Sequence, residues 1–196
     1  MFGIDAELLI DHAWGYETCR MSDIKNYHSE EHSLSNGQVL MRNYSFDEAL
    51  VIVREMTDNL VLDLFEKGLV TSSLTLWIAY DHRYEHEASK GTVKLERESN
   101  SSKKIIDAVE DLYLRIADRY TGIRRIEVCA NRVAPESYVQ YSLFDDPKQT
   151  DKERHLQEAV LNVKQRYGKN AIMRGSNLLE CSTYRERNEQ VGGHRA

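Results

Sequence analysis

Two stretches of the chain repeat their hydrophobic positions every three or four residues, which is the period of an amphipathic helix. The first repeat comprises Leu50, Val53, Met56, Leu60 and Leu64. The second repeat comprises Ile105, Val109, Leu112, Ile116 and Tyr120. Gly68 and Gly122 follow the two repeats, and glycine commonly ends a helix because it adopts a left-handed conformation without strain. We therefore predict two amphipathic helices.

Four other stretches alternate hydrophobic and polar positions, as a strand with one buried side does. They are GQVLMRNY (37–44), SLTLWIAY (73–80), TVKLER (92–97) and IRRIEVCA (123–130). With the two helices, they give the order β-α-β-β-α-β over residues 37–133. This order predicts an α+β fold of the split β-α-β kind. Both helices cover one face of a four-stranded antiparallel sheet, and the other face stays open.

The flanking regions are less regular. Residues 5–15 predict a short helix that ends at Gly15, and a polar connector follows to residue 36. HLQEAVLNVKQRYG (155–168) predicts one more amphipathic helix. From Arg174 the sequence is rich in arginine, asparagine and glycine and shows no clear period, so we expect only partial order there.

Charge is distributed unevenly along the chain. The net charge is −6, but residues 1–32 hold 7 acidic and 2 basic residues, whereas residues 33–135 hold 16 acidic and 14 basic ones. A nearly neutral middle region can still present a basic face to nucleic acid, since phosphate binding depends on where Lys and Arg cluster. No signal peptide or membrane span is evident, and three widely spaced cysteines indicate neither disulfides nor a zinc site, so we expect a cytoplasmic protein.

Asp47 and Glu48 form an adjacent acidic pair of the kind that phosphoryl-transfer enzymes use to hold magnesium. The same residues lie in Ser45-x-x-Glu48 directly before a helical repeat, which is the pattern of a capping box. A two-metal site also needs a carboxylate from a separate strand, and no strand here ends in an acid aimed at this helix. We interpret the pair as a helix cap.

Two histidine pairs have a spacing of four residues, His28 with His32 and His82 with His86. This spacing serves metal binding on a helix, but both pairs fall in predicted loops without a cysteine or a third histidine, so solvated loop histidines are the better interpretation. Phosphate-binding glycine loops and nucleophile motifs are also lacking. We expect no cofactor and no catalysis in this chain.

Basic residues on the strands are more informative. Because successive strand side chains face opposite ways, Arg125 points away from the helices if Ile126 faces them. Lys94 does the same beside Val93 and Leu95, and we expect Arg42 to do so beside Met41. These cations would then lie together on the open sheet face. An ordinary solvated face remains the alternative, since sheets commonly alternate in this way.

The combination of these features resembles the C-terminal part of a Y-family translesion DNA polymerase of the UmuC-like (ImpB/MucB/SamB) branch. GIDAELLIDHAWGYE resembles the last helix of the thumb domain, and GIRRIEVCANRV resembles the closing strand of the little finger domain with its paired arginines. HSLSNGQVL resembles the opening of the little finger, with His32 in place of the usual lysine.

The resemblance implies a division of the chain into four parts. Residues 1–32 are the end of the thumb and a connector, 33–135 the little finger, 136–150 a linker, and 151–196 a C-terminal tail with one helix. In this family the little finger lays its open sheet face along DNA. Ser33 and Ser35 would then meet phosphate through hydroxyl or backbone N–H groups, and Arg124 and Arg125 would clamp phosphates.

The resemblance also implies that a catalytic region, with its magnesium, would belong to a longer parent polymerase and not to this chain. A different hypothesis remains open beside it. The chain could be a stand-alone ferredoxin-like enzyme or small-molecule sensor that uses Asp47 and Glu48, or the loop histidines, with a metal.

The linker contains Gln140-Tyr141-Ser142-Leu143-Phe144. This pentapeptide resembles the Gln-x-Ser/Asp-Leu-Phe motif with which bacterial polymerases bind the sliding clamp. In such a motif Leu143 and Phe144 fill an apolar pocket and Gln140 supplies oriented hydrogen bonds, and Ser142 is the remaining clamp-binding residue of the motif. The alternative is that Leu143 and Phe144 pack against their own domain. We expect the sliding clamp and primer–template DNA as partners, and no membrane.

Overall fold

The computed structural model describes residues 5–17, 19–26, 33–81, 83, 86–137, 147–191 and 194–195. The chain divides into two compact units, residues 1–31 and 32–196. The first unit contains α1 (Asp5–Ala13), which ends before Gly15 as predicted, and α2 (Met21–Asn26). Among the described residues, no helix has the length and apolar character that crossing a membrane requires.

The second unit begins with the predicted order of helices and strands. Its elements are β1 (Ser33–Tyr44), α3 (Phe46–Glu66), β2 (Leu69–Tyr80), β3 (Ser89–Ser99), α4 (Ser102–Ile116) and β4 (Ile123–Asn131). The strands are antiparallel in the spatial order β1-β4-β2-β3, and a two-residue strand, β5 (Ala134–Pro135), pairs with the start of β2. The predicted α+β fold is confirmed. β1 and β2 each begin four residues earlier than their alternation indicated.

α3 and α4 pack on one face of the sheet and bury alternate strand residues. The fully buried strand residues on this face include Leu74, Leu76 and Ile78 of β2 and Ile126, Val128 and Ala130 of β4. The two helices also contact each other, since the rings of Phe46 and Tyr113 lie 4.9 Å apart and the Tyr113 hydroxyl donates to the Phe46 carbonyl at 2.7 Å. The hydrophobic core therefore lies between the helices and one side of the sheet.

Glycine allows α4 to approach β3 closely. A Cβ on Gly91 would lie 2.8 Å from Leu112 Cδ1 and 3.0 Å from Ile116 Cγ2. These separations are below van der Waals contact, so a side chain at residue 91 would push the helix away from the sheet.

The helix ends follow local hydrogen bonding. The predicted capping box of α3 is confirmed, because Glu48 N donates to Ser45 Oγ at 3.4 Å and Ser45 N donates to a Glu48 carboxylate oxygen at 2.9 Å. α4 ends at Ile116, so the prediction that Tyr120 continues its buried face is wrong. The Asp118 carboxylate accepts the N–H of Thr121 at 2.9 Å and forms a turn there, which leaves Tyr120 95% exposed.

The predicted C-terminal helix is present as α5 (Pro147–Tyr167). Its apolar face is only partly buried, because Val160 and Val163 are half-buried whereas Leu156 is 64% and Tyr167 67% exposed. The residues from Arg174 are more ordered than their composition predicted, since they contain a 3-10 turn (Gly175–Leu178), α6 (Tyr184–Asn188) and the short strands β6 (Gln190–Val191) and β7 (His194–Arg195).

Polar contacts hold α5 in place. Gln157 is buried and donates through Nε2 to the Asn100 carbonyl at 3.0 Å. The Glu153 carboxylate accepts from Ser101 Oγ at 2.8 Å and from Lys103 N at 2.9 Å, at the start of α4. A negative group is stabilised at a helix N-terminus by the unpaired N–H groups there.

Residues after α5 bind the helix side of the domain. Arg174 pairs with Asp58 of α3 at 2.6 Å. Glu55 of α3 is 2% exposed and accepts hydrogen bonds from the Ser182 hydroxyl and, at 3.4 Å, from Thr183 N. Burial raises the pKa of Glu55, and the Arg187 guanidinium lowers it in part. A buried polar group on α3 is thus satisfied by the tail, which fixes the tail's position.

We expect Glu55→Ala to lower the free energy of unfolding by about 2–3 kcal/mol, because it leaves the partners of Glu55 in the tail buried without an acceptor. Urea denaturation measures this change. The control is Glu158→Ala, since Glu158 is exposed on α5 and its removal should change the stability by less than about 0.5 kcal/mol. Equal effects of the two substitutions would show that the tail does not depend on Glu55.

Candidate nucleic-acid interface

The side chains that alternate with the buried strand residues form the second face of the sheet, which we call the open face. Its members are Ser33, Ser35 and Val39 of β1, Arg125, Glu127, Cys129 and Asn131 of β4, Thr75 and Trp77 of β2, and Lys90, Thr92 and Lys94 of β3. This set contains three cations and one acid. It is otherwise composed of hydroxyl, amide, thiol and a few apolar groups.

The strand pairing places several predicted phosphate contacts on the same face of the sheet. Ser33 lies opposite Asn131, Ser35 lies opposite Cys129, and Lys94 lies opposite Ser73 at the far side of the sheet. Ser33, Ser35 and Lys94 are exposed. The predicted positions on β1, β3 and β4 therefore share one face, as the alternation argument required.

Polar side chains in the middle of the open face bind one another. The hydroxyls of Thr75 and Thr92 lie 2.9 Å apart across β2 and β3, and Asn131 Nδ2 donates to Thr75 Oγ1 at 2.8 Å. Cys129 Sγ donates to Asn131 Oδ1 at 3.2 Å, and burial raises the pKa of this thiol. Because these hydrogen bonds cross three strands, they hold the centre of the face in a defined arrangement.

Arg125 lies on the open face, as predicted, with its side chain half-exposed. Its Cζ atom is 5.1 Å from the centre of the Trp77 ring, and its Nη2 atom is 3.5 Å from a carboxylate oxygen of Glu127. A guanidinium stacks favourably on an indole face. Trp77 and Glu127 together restrict where the charge of Arg125 can lie.

Lys90 is an open-face cation that the sequence argument missed. It lies directly opposite Trp77 in the β2–β3 pairing and is exposed. The predicted strand began at Thr92, whereas β3 begins at Ser89, so Lys90 was assigned to the hairpin loop. If the alternation of Leu95 and Val93 is continued to Gly91, Lys90 is placed on the open face.

The placement of Arg42 on the open face is wrong. Leu40 is fully buried and Tyr44 is 6% exposed, whereas Met41 is 90% exposed. Leu40 and not Met41 therefore faces the helices, and Arg42 lies on the helix side with Leu40 and Tyr44. The guanidinium of Arg42 instead binds both carboxylate oxygens of Glu48 at the start of α3, at 2.6 and 3.1 Å, and lies 4.2 Å from the Tyr44 ring centre. The hydrogen bonds from Arg42 lower the pKa of Glu48 to about 2.

Arg124 also departs from simple alternation. Between Ile123 and Arg125, β4 carries one residue more than the paired stretch of β2, so Arg124 occupies a β-bulge. Ile123 and Ile126 are both fully buried although they are three residues apart, which is the result of that extra residue. Arg124 is partly exposed beside Arg125. The paired arginines therefore do not form two equivalent open-face positions.

The clamp-motif residues Gln140, Ser142, Leu143 and Phe144 lie outside the described residues. The residues on either side of that segment are fixed to the domain. Glu136 N donates to the Gly68 carbonyl at 2.8 Å, and Arg154 of α5 pairs with the Glu136 carboxylate at 2.7 Å. The residues before the segment and the helix after it are thus both held at Glu136.

The metal hypothesis gains no support from the described part of the second unit. Glu48 is engaged by Arg42 and by the capping box, and no group of three or more potential ligands occurs among the described residues. His86 stacks on Tyr80 at 4.3 Å and lies 3.6 Å from Asp118. His28, His32 and His82 lie outside the described residues.

Comparison with known families identifies the domain. The model of the impB/mucB/samB family C-terminal domain matches residues 31–143, more than half of the chain. The chain belongs to the impB/mucB/samB family. The matched range includes the whole β-α-β-β-α-β domain, so the resemblance seen in the short sequence motifs is confirmed.

Two curated relatives are DNA polymerases by name. DNA polymerase IV 2 of Bacillus subtilis (strain 168) is 24% identical over 164 residues, which are 83% of this chain and 39% of that protein. DNA polymerase IV 2 of Halalkalibacterium halodurans is 21% identical over 168 residues, 85% of this chain and 40% of that protein. The impB/mucB/samB chain thus spans about two fifths of the length of these relatives.

Solved structures of related domains show weaker similarity. A complex of the beta-clamp processivity factor and the little finger domain of PolIV matches with a TM-score of 0.41 and 12% identity, over 58% of this chain and 100% of that one. A Y-family DNA polymerase chimera, Dbh-Dpo4(243-245)-Dbh, matches with a TM-score of 0.40 and 15% identity, over 68% of this chain and 36% of that one.

Proposed function

We propose that this domain is the DNA-binding and clamp-tethering C-terminal part of a Y-family polymerase that acts in translesion synthesis in the cytoplasm. The observation that carries the proposal is the open face, where Lys90, Lys94 and Arg125 accompany exposed hydroxyl groups on one side of a sheet whose other side is buried. The relatives named DNA polymerase IV 2 support the same role.

The composition of the open face favours contact with the DNA backbone over the reading of base sequence. Cations and hydroxyls on Lys94, Arg125, Ser33 and Ser35 suit phosphate oxygens, and such contacts position a protein on a duplex without selecting its sequence. A sheet is also too broad to enter the major groove as a helix does, so it meets the groove edges where phosphates lie. We therefore propose nonspecific binding of primer–template DNA.

The location of the tail contacts supports the same DNA-binding face. Contacts of the C-terminal segment with Asp58, Glu55 and Asn100 are on the helix side of the domain. These contacts therefore lie on the side of the domain opposite to the proposed DNA-binding face.

The linker motif supports the second half of the proposal. Gln140, Ser142, Leu143 and Phe144 have the residue types of a clamp-binding peptide. The flanking pair of Glu136 and Arg154 ties both ends of the segment to the DNA-binding domain. A clamp bound there would be held beside the domain, which raises the effective concentration of DNA threaded through the clamp.

Replacing both Arg124 and Arg125 by alanine should weaken binding of duplex DNA of any sequence. The slope of log affinity against log salt concentration should decrease by about two, because each phosphate contact contributes about one. Fluorescence anisotropy at several salt concentrations measures both quantities. Lys103→Ala with Arg115→Ala is the matched control, because it removes the same two positive charges from the exposed side of α4, and it should have little effect. Binding that is indifferent to salt would contradict the proposal.

A peptide of residues 137–147 should bind a bacterial sliding clamp, and Leu143→Ala with Phe144→Ala should abolish binding because the apolar anchors are lost. Surface plasmon resonance with immobilised clamp measures this. The matched control is Tyr141→Ala, which changes the variable position of the motif and should retain binding. Failure of the native peptide to bind would assign Leu143 and Phe144 to packing within their own domain.

A further inference from the structure

Glu127 is an unexpected residue for a surface that binds phosphate. Among the described residues that the regular strand pairing places on the open face, it is the only acid, and it lies on the central strand β4 directly opposite Trp77 and Gly37. Its side chain is 39% exposed. Gly37 has no side chain that could cover the carboxylate, so the negative charge faces the same space as the cations of the open face.

The carboxylate of Glu127 also has a specific neighbour. Arg125 Nη2 is 3.5 Å from Glu127 Oε2, close enough for an ion pair but longer than a well-formed hydrogen bond. Trp77 lies against the same guanidinium, with its ring centre 5.1 Å from Cζ. Because the indole limits the movement of Arg125, the guanidinium stays within reach of Glu127.

We propose that Glu127 limits the affinity of the open face for nucleic-acid phosphate by competing for the guanidinium of Arg125. The inference rests on the proposed DNA binding. A phosphate that binds Arg125 must displace the Glu127 carboxylate and then lie near its negative charge. Both effects weaken binding at this position. Weak backbone contacts allow a nonspecific protein to move along DNA, so limited affinity suits this surface.

Glu127→Gln keeps the size of the side chain and removes its charge. It should tighten binding of a labelled duplex by about two- to fivefold at low salt, the range that single exposed ion pairs contribute. Fluorescence anisotropy measures the change. Asp111→Asn is the matched control, because Asp111 is an exposed acid on α4, on the helix side of the sheet, and it should change affinity little. Unchanged melting temperatures would show that both variants fold normally.

A double-mutant cycle separates competition from general repulsion. If Glu127 acts through Arg125, the gain from Glu127→Gln should largely disappear in an Arg125→Ala background. A gain in DNA affinity of the same size in both backgrounds would overturn the proposal, because the carboxylate would then repel DNA independently of Arg125. A Glu127→Gln variant that binds no more tightly than the Asp111→Asn control would also overturn it.

The same data distinguish failure of this inference from failure of the proposed function. If the unmodified chain binds DNA in a salt-dependent manner and Arg125→Ala weakens it, the DNA-binding proposal stands whatever Glu127→Gln does. If neither the unmodified chain nor any variant binds DNA, the proposed function itself fails, and the affinity limit fails with it.

Discussion

The arrangement of the domain depends on one constraint, which is that both helices cover the same face of the sheet. Strand side chains alternate between two faces, so each residue that β2 and β4 bury against α3 and α4 requires a neighbour on the other face. Ile126 and Val128 are fully buried, and Arg125 and Glu127 are consequently directed away from the core. Burial of the hydrophobic core thereby determines which residues are presented to a partner.

The tail reinforces this asymmetry. Glu55 is a costly residue inside a protein unless its carboxylate is hydrogen-bonded, and the C-terminal segment supplies those bonds through Ser182 and Thr183. Tyr184 beside them is 1% exposed. Since buried polar groups anchor the tail to α3, the described contacts of the tail with α3 lie on the helix side of the sheet and not on the open face.

The sequence predicts the regular parts of this structure well and the irregular parts poorly. Helical and strand periods identified the β-α-β-β-α-β order, and alternation correctly placed Lys94 and Arg125. It misplaced Arg42, because Leu40 and Met41 are adjacent and both apolar, and Leu40 is the one that is buried while Met41 is 90% exposed. The order of the tail was missed for another reason. It comes from long-range contacts such as those of Arg174 with Asp58 and of Ser182 with Glu55, and periodicity does not report contacts between distant residues.

Two-dimensional NMR of the isotope-labelled chain, titrated with duplex DNA at low salt, would locate the DNA-binding surface. If the open face binds DNA, the amide and side-chain signals of that face, including the indole of Trp77, should shift progressively. Signals of the exposed side of α4 around Arg115 and of the tail around Tyr184 should stay unchanged. Shifts concentrated on α3, α4 or the tail, with the open face unaffected, would contradict the account.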